Sequence, residues 1–389
     1  MTLQLPTPTP EMLAHSKQLT AVICNEIAAS GSIPFRRYME LALYAPGLGY
    51  YSAGSKKLGA QGDFVTAPEI SPLFSRSLAI QCEQILKIVS QGNILEFGAG
   101  SGAMAADLLL ELEQRQCLPE YYYILEISAD LRQRQQTLLK QRLPRFYSQI
   151  VWLDQLPAKP FNGVILANEV LDAMPIQRLQ ITSEQLNEYH VSYEKEQFTW
   201  QLQPIKQPEL SKDITDYNIE LFHDYYDVEI NPLLPHWIQS LNKCLDQGAV
   251  FIIDYGFPRH EYYHPDRYQG TLMCHYQQRS HTNPLILTGL QDITAHVDFT
   301  AVAEAAIKNQ FKVAGFTNQA AFLLSLGLLN LAELQLHTSD QRQRLLINQQ
   351  IQKLTSPAEM GELFKVMALT KNLANIQLLG FSRDQRQRL

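Results

Sequence analysis

Asn93-Ile94-Leu95-Glu96-Phe97-Gly98-Ala99-Gly100-Ser101-Gly102 is the stretch on which the fold turns. A short apolar run stops at three glycines spaced two apart. A helical pattern then begins, with an apolar stripe at Met104, Leu108, Leu109 and Leu112. Such a strand–turn–helix junction lets backbone approach a ligand closely and offers it the unpaired N–H groups of a helix start. Outward from it the rhythm repeats. Tyr121 to Ile127 reads as a second strand and Ala129 to Gln141 as a second helix; Ile150 to Leu153, Gly163 to Ala167 and Ala249 to Asp254 give three more strands. Strands alternating with helices predict an α/β fold, a parallel sheet covered on both faces.

The flanks are less regular. Residues 11 to 30 have helical spacing at Leu19, Val22, Ile23 and Ile27. The Gly-, Pro- and aromatic-rich run from Ile33 to Tyr51 predicts an ordered loop, and Gly62 to Glu69 continues it. Residues 71 to 89 read as a helix entering the core. This divides the chain into an N-terminal helical and loop segment, 1–90, packed on a core of 91–389. Within that core, 177–245 reads as an insertion: polar and apolar residues alternate over Gln177 to Gln203, and a polar loop running into a helix follows to Leu245. Phe299 to Gln310 is helical, Phe311 to Phe316 strand-like, Gln319 to Leu334 helical, and the charged tail from Gly380 is expected to fray.

Bulk composition bounds the function. The chain has 389 residues, 46% hydrophobic and 18% charged, with a formal net charge of -7. That is ordinary globular composition and gives no argument for a nucleic-acid partner. The five cysteines, at 24, 82, 117, 244 and 274, form no C-x-x-C pair and imply no metal set. They read as buried thiols in a reducing compartment. No stretch approaches the roughly 20 apolar residues of a membrane span, and no secretory leader is apparent. A soluble, cytoplasmic protein is the expectation.

The glycine pattern alone is ambiguous, because Gly98, Gly100 and Ala103 also fit a dinucleotide fingerprint, which leaves a nicotinamide-dependent oxidoreductase open. Glu96 tips the balance. A carboxylate two residues before the first glycine suits the cationic amino group of S-adenosyl-L-methionine, with Gly98, Gly100 and Gly102 cradling it. Glu126, ending the second strand, is placed to bind both ribose hydroxyls. Asp154, after the third strand, is a candidate for the adenine amino group. Asn168 and Glu169 end the fourth strand, where ligands of open α/β sheets sit, and Asp172 follows. Asn168 and Asp172 also suit helix capping.

Taken together these segments resemble the MidA family. The likeness rests on Tyr38-Met39 with Pro46 to Tyr51, Gly62 to Ser71, Glu96 to Gly102, Leu125 to Ser128, Ala167 to Pro175, Ile253 to Gly256 and Gly289 to Phe299. Departures are Ala99 for a proline, Ser75 for a glycine, and Met273 for an arginine. The resemblance implies a Rossmann-like class I methyltransferase, with a seven-stranded, mostly parallel sheet, an N-terminal extension and insertions. It implies S-adenosyl-L-methionine as cofactor and a partner protein's arginine as acceptor, since mitochondrial relatives methylate an arginine on a complex I subunit. A homodimer is compatible with it. A guanidinium is cationic to above pH 12 and needs a carboxylate to orient it and take its proton. Glu169 is the first candidate and Glu69, from the family-specific loop, the second. The rival reading is a non-catalytic assembly chaperone that keeps the cofactor pocket.

Overall fold

The computed structural model describes residues 5–53, 65–205, 223–337, 339–374 and 376–389. The chain forms two compact units: 1–64 with 172–234 and 258–298, and 65–171 with 235–257 and 299–389. This division differs from the one expected at residue 90. The inserted segments return to the N-terminal one, with Ile33 and Pro34 pairing antiparallel with Val191 and His190.

The second unit carries the sheet that the glycine stretch implied. Among the described residues this unit contributes seven strands to it, β1 (Asn93–Phe97), β2 (Tyr122–Leu125), β3 (Ile150–Leu153), β4 (Phe161–Asn168), β5 (Leu245–Phe257), β6 (Lys312–Asn318) and β7 (Phe364–Lys371). They lie in the order β3-β2-β1-β4-β5-β7-β6. Strands β1 to β5 run parallel, and β7 is antiparallel to both β5 and β6. Every residue of β1 is buried, as parallel strands covered on both faces require. Backbones crowd where β1, β4 and β5 start. A Cβ on Gly163 would lie 1.9 Å from the Asn93 carbonyl oxygen, and one on Gly248 1.8 Å from that of Gly163. The helices Pro72–Leu86 and Ala103–Gln114 supply Phe74, Leu78, Leu108 and Leu112 to the core cluster on one face.

Strand β7 and the helix Gln341–Thr355 had no counterpart in the sequence reading. The helix expected over 319–334 is two, Gln319–Ser325 and Leu328–Leu336, bent by 65°. Gly327 makes the break at φ 79. The tail is pinned. Phe381 is buried against Phe322, Asp384 accepts the Phe316 N–H at 3.2 Å, and Gln385 N–H donates to the Phe316 carbonyl at 2.6 Å. The expectation of fraying fails because charge at the end of a chain says nothing about the one aromatic residue that anchors it.

In the first unit, Gln177–Ile181, Leu186–Glu194, Gln197–Pro204 and Tyr226–Ile230 build an antiparallel sheet with Ile33–Pro34 at its edge. The alternation over Gln177 to Gln203 forms antiparallel strands, while 235–245 of the stretch expected as an insertion belongs to the second unit. Residues 206–222 of the expected loop, and Gly62 to Phe64 of the family-specific segment, lie outside the described residues. The run expected as loop from Ile33 contains a helix, Phe35–Tyr44. It buries Phe35, Tyr38, Met39, Ala42 and Leu43 at helical spacing; Pro34 and Pro46 bracket the helix and obscured it. Among the described residues no single helix is long and apolar enough to cross a membrane.

Candidate cofactor and acceptor site

Of the residues singled out from sequence, Gly98, Gly100, Gly102, Glu126, Asp154, Asn168 and Glu169 end or follow β1, β2, β3 and β4, and Glu96 lies within β1. Between β1 and the helix Ala103–Gln114, Gly98, Gly100 and Gly102 have φ of 59, 55 and 87, values an L side chain rarely adopts. Gly98 N–H donates to the Leu125 carbonyl at 3.0 Å, tying the loop to β2. Among the described residues nothing lies within 4 Å of the place where a Gly98 Cβ would be, so they leave room for a ligand on that face of the loop. Ser101 Oγ accepts the Ala103 N–H at 3.2 Å and its hydroxyl donates to the Glu69 carboxylate. The helix Ala67–Ile70 thus brings Glu69 onto the glycine loop itself.

Glu96 is 1% exposed and accepts a hydrogen bond at 2.8 Å from the Tyr122 hydroxyl. Burial pushes its carboxyl up to about 8; the Tyr122 hydrogen bond opposes the shift and the nearby Glu126 charge adds to it. An ammonium brought beside it would restore the anion. Glu126 is buried and gripped at both oxygens: Oε1 by the Ser128 N–H at 2.9 Å, Oε2 by the Gln135 amide at 2.8 Å.

Asp154 stands apart from these buried acids. Its side chain is 86% exposed and paired with Arg132 at 2.6 Å. Asn168 and Glu169 do belong to a built turn. Glu169 has φ 53, left-handed for a non-glycine residue, and its N–H donates to the Ile253 carbonyl at 2.9 Å. Buried Asp254, in β5, accepts the N–H groups of Val170 at 3.2 Å and Leu171 at 2.9 Å. Asn168 Nδ2 donates to Glu169 at 3.3 Å. Asn168 Oδ1 is buried without a hydrogen-bond partner among the described residues. Such an orphaned acceptor at a strand end suits a ligand donor.

Sequence reasoning missed Gln135 and Trp152. The signal was present: Leu131, Gln135 and Leu139 are the buried residues of Ala129–Arg142, a stripe of fourth positions with one amide in it. Among the described residues no group of three or more His, Cys, Asp or Glu side chains is arranged to hold a metal.

Sheet order, glycine loop and buried acids define a class of protein that holds an adenosine-bearing cofactor beyond its parallel strands. A family model of S-adenosyl-L-methionine-dependent methyltransferases matches residues 77–317, and the chain belongs to that family. A crystal structure of a Burkholderia thailandensis protein bound to S-adenosyl-homocysteine is 40% identical. It covers 99% of this chain and 100% of its own, with a TM-score of 0.93. Protein arginine methyltransferase NDUFAF7, mitochondrial, from Danio rerio is 26% identical over 91% of this chain and 87% of its own. The Homo sapiens protein of that name is 28% identical over 98% and 88%. The cofactor is S-adenosyl-L-methionine, which settles the ambiguity of the glycine pattern against the nicotinamide reading. The cytoplasmic location expected from the sequence is overturned by these relatives, which are named as mitochondrial.

Proposed function

We propose that this methyltransferase acts on an arginine side chain of a partner protein, a respiratory-complex subunit. The observation that carries the reading is the turn after β4. Glu169 is held at positive φ by the Ile253 carbonyl while Asp254 takes the next two N–H groups. Backbone strain of this kind, fixed by its surroundings, is a mark of functional sites. The curated relatives' names support arginine as the acceptor.

S-adenosyl-L-methionine supplies an activated methyl group on a sulfonium. The glycine backbone at 98, 100 and 102 cradles it, Glu96 faces its ammonium, Glu126 takes the ribose hydroxyls, and Asn168 offers its orphaned oxygen. Asp154, exposed and paired with Arg132, adds no support to the adenine role expected from its place after the third strand. Glu169 orients the guanidinium and accepts the proton its nitrogen gives up as the new N–C bond forms, the sulfonium S–C bond breaks and S-adenosyl-homocysteine is left as the neutral thioether. Glu69, hydrogen-bonded to Ser101, is the second carboxylate available to that task. Positioning and fixed charge carry most of the rate enhancement.

The test is transfer of labelled methyl groups to a lysate lacking the endogenous protein, with mass spectrometry of the labelled band. Methylarginine in one protein is the expected result. A label on another residue type overturns the acceptor. No labelled band, with S-adenosyl-homocysteine still bound, overturns catalysis and favours an assembly chaperone.

A further inference from the structure

The helix Ala129–Arg142 turns three residues inward, and the middle one is Gln135, 0% exposed. A buried amide must find partners for two N–H groups and an oxygen, and Gln135 finds all three. Trp152 Nε1–H donates to its Oε1 at 3.0 Å. An indole N–H only donates, so this contact fixes which end of the amide is the oxygen. Both hydrogens of Nε2 then face the cofactor loops, one toward the Gly100 carbonyl at 2.9 Å and one toward Glu126 Oε2 at 2.8 Å. Gly102 packs on the same side chain; a Cβ there would sit 3.5 Å from Gln135. One amide therefore joins the loop after β1, the acid after β2, and β3 itself. The strand ladders already hold these three strands together, so what the amide adds lies beyond their carboxyl ends.

We propose that Gln135 is a positioning residue of the cofactor site, acting through Glu126 to set how the ribose is recognised. This rests on the reading of Glu126 as the ribose-binding carboxylate. A carboxylate held by a fixed donor at each oxygen cannot rotate, so its orientation is set before the ligand arrives. Gln135→Leu removes the donor to Glu126 and leaves the Gly100 carbonyl and the Trp152 indole without this partner. Gln135→Glu keeps the shape and the Trp152 bond, replaces the donor by an acceptor, and sets two carboxylates against each other.

The experiment is calorimetric titration of S-adenosyl-homocysteine and its 2′-deoxy analogue into wild type, both Gln135 variants, Glu126→Gln, and Gln135→Leu combined with Glu126→Gln. The expected result has four parts. Gln135→Leu weakens S-adenosyl-homocysteine about tenfold and lowers the preference for the 2′-hydroxyl. Gln135→Glu weakens it further and recovers as pH falls. Glu126→Gln loses the preference. On that background Gln135→Leu has less than about a threefold effect, since coupled residues are non-additive. Wild-type behaviour of Gln135→Glu, with the preference lost in Glu126→Gln, overturns the role of Gln135 alone. Equal losses for both ligands that add to those of Glu126→Gln also overturn it, as mere structural damage. An intact preference in Glu126→Gln overturns the Glu126 reading and this inference with it.

Discussion

Replacing Glu96 by Gln should change how stability depends on pH. The side chain is 1% exposed, accepts one hydroxyl hydrogen bond from Tyr122, and has its carboxyl raised from an ordinary 4.5 to about 8. The acid that acts on it is Glu126; the buried acids of the helix Ala103–Gln114 have partners of their own, Asp107 with Arg142 and Glu111 with Arg76 and Arg115. Between pH 4.5 and about 8 the folded protein holds a proton that the unfolded chain releases. The stability linked to this group is complete below 4.5 and is lost as pH rises through about 8. The shift corresponds to about 5 kcal/mol in all, with a slope of about 1.4 kcal/mol per pH unit inside the window. Glutamine keeps the acceptor for Tyr122 and cannot ionise. Urea unfolding of both proteins from pH 5 to 8 should show the variant gaining on wild type by roughly that slope. Parallel pH profiles would refute the reasoning. S-adenosyl-homocysteine, by placing an ammonium at Glu96, should also release a proton on binding near pH 7, read as a buffer-dependent enthalpy.

Glu169→Gln should lower methyl transfer roughly 100-fold or more while S-adenosyl-homocysteine affinity stays within about threefold; full transfer in steady-state assays would remove Glu169 from the mechanism. Gly163→Ala forces a Cβ to 1.9 Å from the Asn93 carbonyl. It should cost roughly 3 kcal/mol, and an unchanged melting temperature would contradict the close packing of β1 on β4.

The nucleotide-binding half of the sheet was legible in the sequence because its signals are local. Asn93–Phe97 and Ile150–Leu153 have the bounds their apolar runs suggested, and the three glycines announced a turn that only positive φ can make. Strand β7 was not read. Phe364–Lys371 lies far along the chain from β5 and β6, which it separates, and no local pattern tells a strand that it will insert antiparallel between two others. Among the site residues, Glu96 stood next to the motif and Glu126 at the end of the next strand. Gln135 did not, because its meaning depends on Gly100, Glu126 and Trp152, which meet only in space. Asp254 was noted as a strand-end acid, but its grip on the Glu169 turn follows from the neighbouring of β4 and β5, a fact of topology.

The most direct test of the site is a crystal structure of this chain with S-adenosyl-homocysteine. The account predicts the amino-acid moiety against residues 96–102 and both ribose hydroxyls within hydrogen-bond distance of Glu126, with the Gln135 amide unmoved. A ribose that Glu126 does not touch, or a ligand lying away from the glycine loop, would contradict it.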